Sequence, residues 1–119
     1  MANLIAVALI ALAAAAAADS KEDREFFERR IGPILRDSCL KCHGGERTRN
    51  SLDVSTRQDL LRGGDAGPAI IPGDPDRSLL IKAVRYQDNL HMPPKGKLAA
   101  DKISDLAEWV KRGAPWPAK

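Results

Sequence analysis

The stretch CLKCH at Cys39–His43 constrains this chain more than any other. It holds both cysteines of the protein and one of its two histidines. Two thiols separated by two residues, with an imidazole directly behind them, form the C-x-x-C-H pattern of c-type haem attachment. The spacing has a physical basis. On a helical turn each thiol can reach one vinyl group of a porphyrin, and the following imidazole is held under the ring with a nitrogen at the iron. Cys39 and Cys42 are therefore the expected thioether residues, and His43 the expected proximal iron ligand. Three other readings remain open. A redox dithiol wants a strand before the motif, and the pattern shows none. Half a zinc site lacks a second cysteine pair, and His91 alone leaves zinc short of four ligands. A structural disulfide across so short a loop would constrain the unfolded chain little.

A chain of 119 residues is long enough for one small domain. Aromatic residues make up only 4% of it, so the side chains alone give a thin core. An apolar cofactor would supply the missing mass. The net charge of +3 comes from 19 basic and 16 acidic residues mixed along the chain. That is no basic stripe, and no nucleic-acid partner is expected. The opening MANLIAVALIALAAAAAADS carries no charge before Asp19 and has an A-x-A-like cleavage site at Ala16–Ala18. Residues 1–18 read as a secretory signal peptide, or as an uncleaved anchor, although the usual Lys or Arg at the start is missing. Membrane association is expected only if this segment stays on. Residues 19–119 then form the domain, in an oxidising, periplasmic or otherwise extracytoplasmic compartment.

Along the domain the pattern is helical. Ser20 can cap a helix reaching Asp37, with Asp23 completing a capping-box-like start. Phe26, Phe27, Ile31, Ile34 and Leu35 give its apolar stripe, and Pro33 is expected to kink or divide it. Leu52 and Val54 are expected as inward anchors in the polar loop that follows. A short helix is predicted over Ser55–Arg62, capped by Ser55 and stopped by Gly63 and Gly64. After a Gly- and Pro-rich segment, Asp74 and Pro75 should start another, with Leu79, Leu80, Ala83 and Val84 buried. A last helix is predicted from about Ala100 to Arg112, ended by Gly113. No convincing strand appears, and the expected fold is all-α, a small helical domain wrapped around its cofactor.

A haem needs a sixth ligand or an open site. Met92 is the one methionine beyond the first segment, and Pro93 biases it toward an extended backbone. Neighbours in an extended segment point opposite ways, so only one of His91 and Met92 should face iron. The distal ligand expected is Met92, with His91 at the surface, because His/Met ligation raises the potential and suits electron transfer. Leu35, Leu52, Ile70, Ile71, Leu79, Leu80, Val84, Leu98 and Trp109 are candidates for packing on the ring. Phe27, Ile31 and Leu106 should join the first and last helices. Arg85, Lys95 and Lys97 are candidates for pairing with haem propionates.

From Phe26 to Pro117 the sequence resembles the planctomycete-type cytochrome c domain, a relative of class I cytochromes c. The segments that carry the resemblance are FFERRIGPILRDSCLKCHG, SLDVSTRQDLLRGGDAGPAIIPGDPDRSLLIKAVRY, MPPKGKL and ISDLAEWVKRGAPWP. The resemblance implies a compact cytochrome c-like helical fold with one covalent haem c, His43 proximal and Met92 distal. It also implies a backbone carbonyl, with Pro68 the candidate, accepting from the other ring nitrogen of His43. Such domains often open larger exported proteins, whereas this chain stops soon after GAPWP. They usually place a capping Ser or Thr where this chain has Ala99 or Ala100, a loss of about 1 kcal/mol unless Asp101 substitutes. The expected function is single-electron transfer by a monomeric carrier to a redox partner protein, with no substrate bond made or broken. Alternatives are a haem module of a larger exported enzyme, a haem sensor of small ligands and, more remotely, a non-haem dithiol protein.

Overall fold

The computed structural model describes residues 20–45 and 49–118, which are mostly helical. The first 18 residues lie outside these, and with them the expected signal peptide. Among the described residues no helix is long and apolar enough to cross a membrane.

Helix α1 spans residues 21–43. Its start is as the sequence predicts, with the Ser20 hydroxyl accepting from the Asp23 N–H at 3.1 Å. Its end is not. The helix neither breaks at Pro33 nor stops at Asp37, but continues through the CLKCH motif to His43. Wide π-helical turns over Phe27–Ile31 and Leu35–Cys39 flank the proline. A proline has no N–H to give and its ring crowds the preceding turn; a wider turn accommodates both defects.

Helix α2 is Arg57–Arg62, capped by Thr56, whose hydroxyl accepts from the Asp59 N–H at 3.1 Å. The expected cap Ser55 instead bonds the Asp53 carboxylate through its own N–H, at 2.8 Å, and its hydroxyl. At the far end Gly63 has φ +73°, and a Cβ there would lie 1.9 Å from the Gly67 oxygen. Only glycine permits that approach. A 3₁₀ turn, Pro75–Arg77, starts with the Asp74 carboxylate accepting from the Arg77 N–H. Helix α3, Leu79–Val84, follows. Between them lies Ser78, fully buried, its hydroxyl accepting from the Ile71 N–H and donating to the Asp74 carbonyl, both at 2.8 Å. Ala69 ties the two short helices together: its N–H donates to the Leu60 carbonyl and its own carbonyl accepts from the Leu80 N–H.

Helix α4, Ala100–Lys111, begins at Ala99 without a side-chain cap, and Asp101 does not replace it. Leu106, Trp109 and Val110 are fully buried. They meet the Phe27–Ile31 turn of α1, as expected for Phe27, Ile31 and Leu106. The Phe27 ring lies 6.1 Å from Trp109 and 4.6 Å from Trp116. The Trp109 indole N–H donates to the Pro115 carbonyl at 2.8 Å, folding the chain end back over the contact. Arg57 clamps the same end from α2 through the Gly113 and Ala114 carbonyls, at 3.1 and 2.9 Å. At the rim Arg30 pairs with Asp105 at 2.7 Å. This aromatic contact fixes α1 against α4 and leaves the other end of α1 free to build a site. Trp109→Ala should cost about 3–5 kcal/mol, read as a lower denaturant midpoint with an unchanged m-value.

Candidate functional site

The last turns of α1 present Cys39, Cys42 and His43, all part-buried, beside one cavity of about 550 Å³. That size lies within the range of about 300–1,000 Å³ usual for cofactor and ligand sites. Leu52 and Val54 follow on the wall, then Gly64 to Gly67 and Ala69, then the inner face of α3, and last Met92, Pro93 and Leu98. Most of these are apolar. The described residues thus bring together all four sequence-predicted site residues, Cys39, Cys42, His43 and Met92. His91 is not part of the wall. It is exposed, its ring stacked on Tyr86 with centroids 4.7 Å apart.

His43 is held twice by the segment after it. Its carbonyl accepts from the Val54 N–H at 2.7 Å. Its ring Nδ1 lies 3.3 Å from the Leu52 carbonyl. A carbonyl can only accept, so Nδ1 carries the proton and Nε2 keeps its lone pair, the arrangement an imidazole needs to bind a metal. The carbonyl that orients the ring is therefore that of Leu52, not of Pro68, because the chain returns to the motif at residues 52–54. Leu52 was legible as an apolar anchor; its backbone role has no side-chain signature.

Burial pushes the Cys39 thiol up to about 11 from an ordinary 9.0. A redox dithiol works through a lowered thiol pKa, so the shift runs against that reading. Among the described residues no group of three or more His, Cys, Asp or Glu side chains converges as a metal cage.

Of the apolar residues expected on the ring, Leu52, Leu79, Leu80, Val84 and Leu98 line the cavity. Leu35, Ile70 and Trp109 are buried in the protein core instead, and Ile71 is 38% exposed. Of the expected propionate partners, Arg85 is paired with Asp76 at 2.8 Å, and neither Lys95 nor Lys97 reaches the wall. Among the described residues the arginine or lysine on the wall is Arg49, with Asn50 beside it. Arg49 is one of many arginines, and only the fold of its loop distinguishes it. A close crossing shapes this side: the Asp65 N–H donates to the Asn50 carbonyl at 2.9 Å, and a Cβ on Gly64 would sit 2.5 Å from that oxygen.

The 86–94 segment is built from the end of α3. The Tyr86 N–H donates to the Ala83 carbonyl and the Gln87 N–H to the Lys82 carbonyl, the paired bonds of a Schellman ending. Tyr86 holds the left-handed position at φ +60°, normally left to glycine, as Gly113 does at φ +97° after α4. The Ala83 carbonyl also accepts the Met92 N–H at 3.1 Å, which brings Met92 to the cavity.

Soft sulfurs, an imidazole with a free Nε2, apolar walls and a cation at one edge suit a haem: thiols for its vinyls, ligands for its iron, Arg49 for its carboxylates. In the haem-free protein Cys39 sets a pH dependence. A folded-state pKa raised from 9.0 to about 11 gives stability that is full below pH 9 and lost as the pH rises through 11. Denaturant midpoints across that range should fall for the wild type and fall less for Cys39→Ser.

Residues 39–96 match the family model described as Planctomycete cytochrome C, a span that begins at the first thiol and closes just past Met92. No curated protein and no solved structure matches the chain.

Proposed function

Given that this chain carries a planctomycete-type cytochrome c domain, the mark of a haem-binding electron-transfer protein, we propose that it is an exported carrier of single electrons with one covalent haem c. Cys39 and Cys42 hold the haem by thioether bonds, His43 binds the iron through Nε2 and Met92 binds it through its sulfur. The bound haem supplies a one-electron ferric/ferrous couple. The chain does the rest. Leu52, Val84 and Leu98 exclude water. The Leu52 carbonyl holds the His43 ring in one tautomer and raises its basicity. Arg49 balances the propionates, and the thioether of Met92 favours the reduced iron.

The observation that carries this reading is the sharing of one apolar cavity by two thiols, an imidazole and a thioether, with His91 turned away onto Tyr86. The apolar opening segment and its Ala-rich cleavage site support action outside the cytoplasm. The partner is another redox protein that docks where the haem edge is exposed, and the carrier works as a monomer.

Met92→Ala decides the axial ligand. In protein made with haem-maturation machinery, this variant should lower the potential by on the order of 0.1 V and admit carbon monoxide to the reduced iron at neutral pH. The wild type and His91→Ala should exclude carbon monoxide under the same conditions. An unchanged potential in Met92→Ala, or carbon monoxide binding rapidly and fully to the wild type, would refute His/Met ligation and favour a ligand-binding haem.

A further inference from the structure

Tyr86 is the only tyrosine in the chain, and its backbone occupies a conformation that costs a large side chain and suits glycine. A bulky residue in a left-handed helix ending asks what its side chain does. It makes three contacts, two of them with the segment that carries Met92. Its hydroxyl donates to the Pro93 carbonyl. Its ring stacks on His91, 4.7 Å between centroids and 33° between planes. The Lys97 ammonium lies 6.0 Å from the same ring. His91 and Pro93 are the two neighbours of Met92. A single side chain therefore grips the residue before Met92 and the residue after it.

The third hold comes from the same helix end, where the Ala83 carbonyl accepts both the Tyr86 and the Met92 N–H. Met92 is tied to α3 through its own backbone and, on both sides, through Tyr86. Gln87, Asp88 and Asn89, by contrast, are exposed and offer it no wall.

We infer that Tyr86 is the positioning residue for the distal ligand: its hydroxyl and ring hold the 91–93 segment so that the Met92 sulfur stays on the iron. The inference rests on the reading of Met92 as that ligand. Tyr86 touches neither iron nor substrate; it acts through the loop. The left-handed conformation at Tyr86 is the backbone cost of aiming the ring at 91–93, as the Schellman ending itself would form as well with glycine.

The test compares displacement of the distal ligand from the ferric protein by added imidazole, followed in the visible spectrum, in Tyr86→Phe and Tyr86→Gly. Tyr86→Phe keeps the ring and removes one hydrogen bond; the apparent imidazole affinity should rise about two- to tenfold. Tyr86→Gly relieves the backbone and removes both contacts. Its imidazole affinity should rise further and its potential should fall, with no matching loss in denaturant midpoint. A merely structural tyrosine would make displacement follow global stability instead. Unchanged affinity and potential in both variants, or changes that only follow the midpoint, would overturn the inference. Met92→Ala separates the two claims: if it leaves the iron closed to carbon monoxide, the ligand reading has failed; if it opens the iron while the Tyr86 variants behave as wild type, the positioning role alone has failed.

Discussion

The site depends on two hydrogen bonds between His43 and the chain that returns to it: Val54 N–H to the His43 carbonyl, and the His43 ring to the Leu52 carbonyl. The first ends α1 and turns the backbone back along the cavity. The second fixes the ring and its tautomer. Without them the imidazole at the end of a helix would be free to rotate, and its metal-binding nitrogen would have no set direction. The first pairs a carbonyl that a helix end leaves unpaired and must place somewhere; the second uses the loop carbonyl that this return brings beside the ring. The proximal side of the cavity is thus the solution to an ordinary capping problem.

The other side solves the same problem at α3. Its Schellman ending turns the chain through Tyr86, and a spare lone pair on the Ala83 carbonyl receives Met92. The end of α1 at His43 and the end of α3 at Tyr86 so face one apolar space. The aromatic contact of Phe27, Trp109 and Trp116 holds α1 from behind and lets its far end carry cofactor chemistry rather than core packing. With so few aromatics, most of them spent on this contact, the cavity walls are left to leucine, valine and alanine.

The helices and their apolar faces were legible because periodicity and capping residues are local signals, and the CLKCH spacing because attachment chemistry dictates it. Met92 stood out through scarcity and its prolines. What escaped was non-local or carried by the backbone. Leu52 rather than Pro68 orients His43 because of where the loop returns, which no side chain announces. Pro33 reads as a breaker, yet flanking π turns absorb it once α4 packs alongside. Thr56 displaced Ser55 as a cap because Asp53 claims the Ser55 hydroxyl. Nothing in the sequence singled out Tyr86; its left-handed backbone and its grip on 91–93 exist only in three dimensions.

The central claim is that His43 and Met92 complete the coordination of one iron in this cavity. X-ray absorption at the iron edge of the haem-loaded ferrous protein tests it most directly. A single sulfur ligand beside the nitrogens is the predicted result, absent in Met92→Ala. An all-nitrogen six-coordinate shell, or an open five-coordinate one in the wild type, would contradict it.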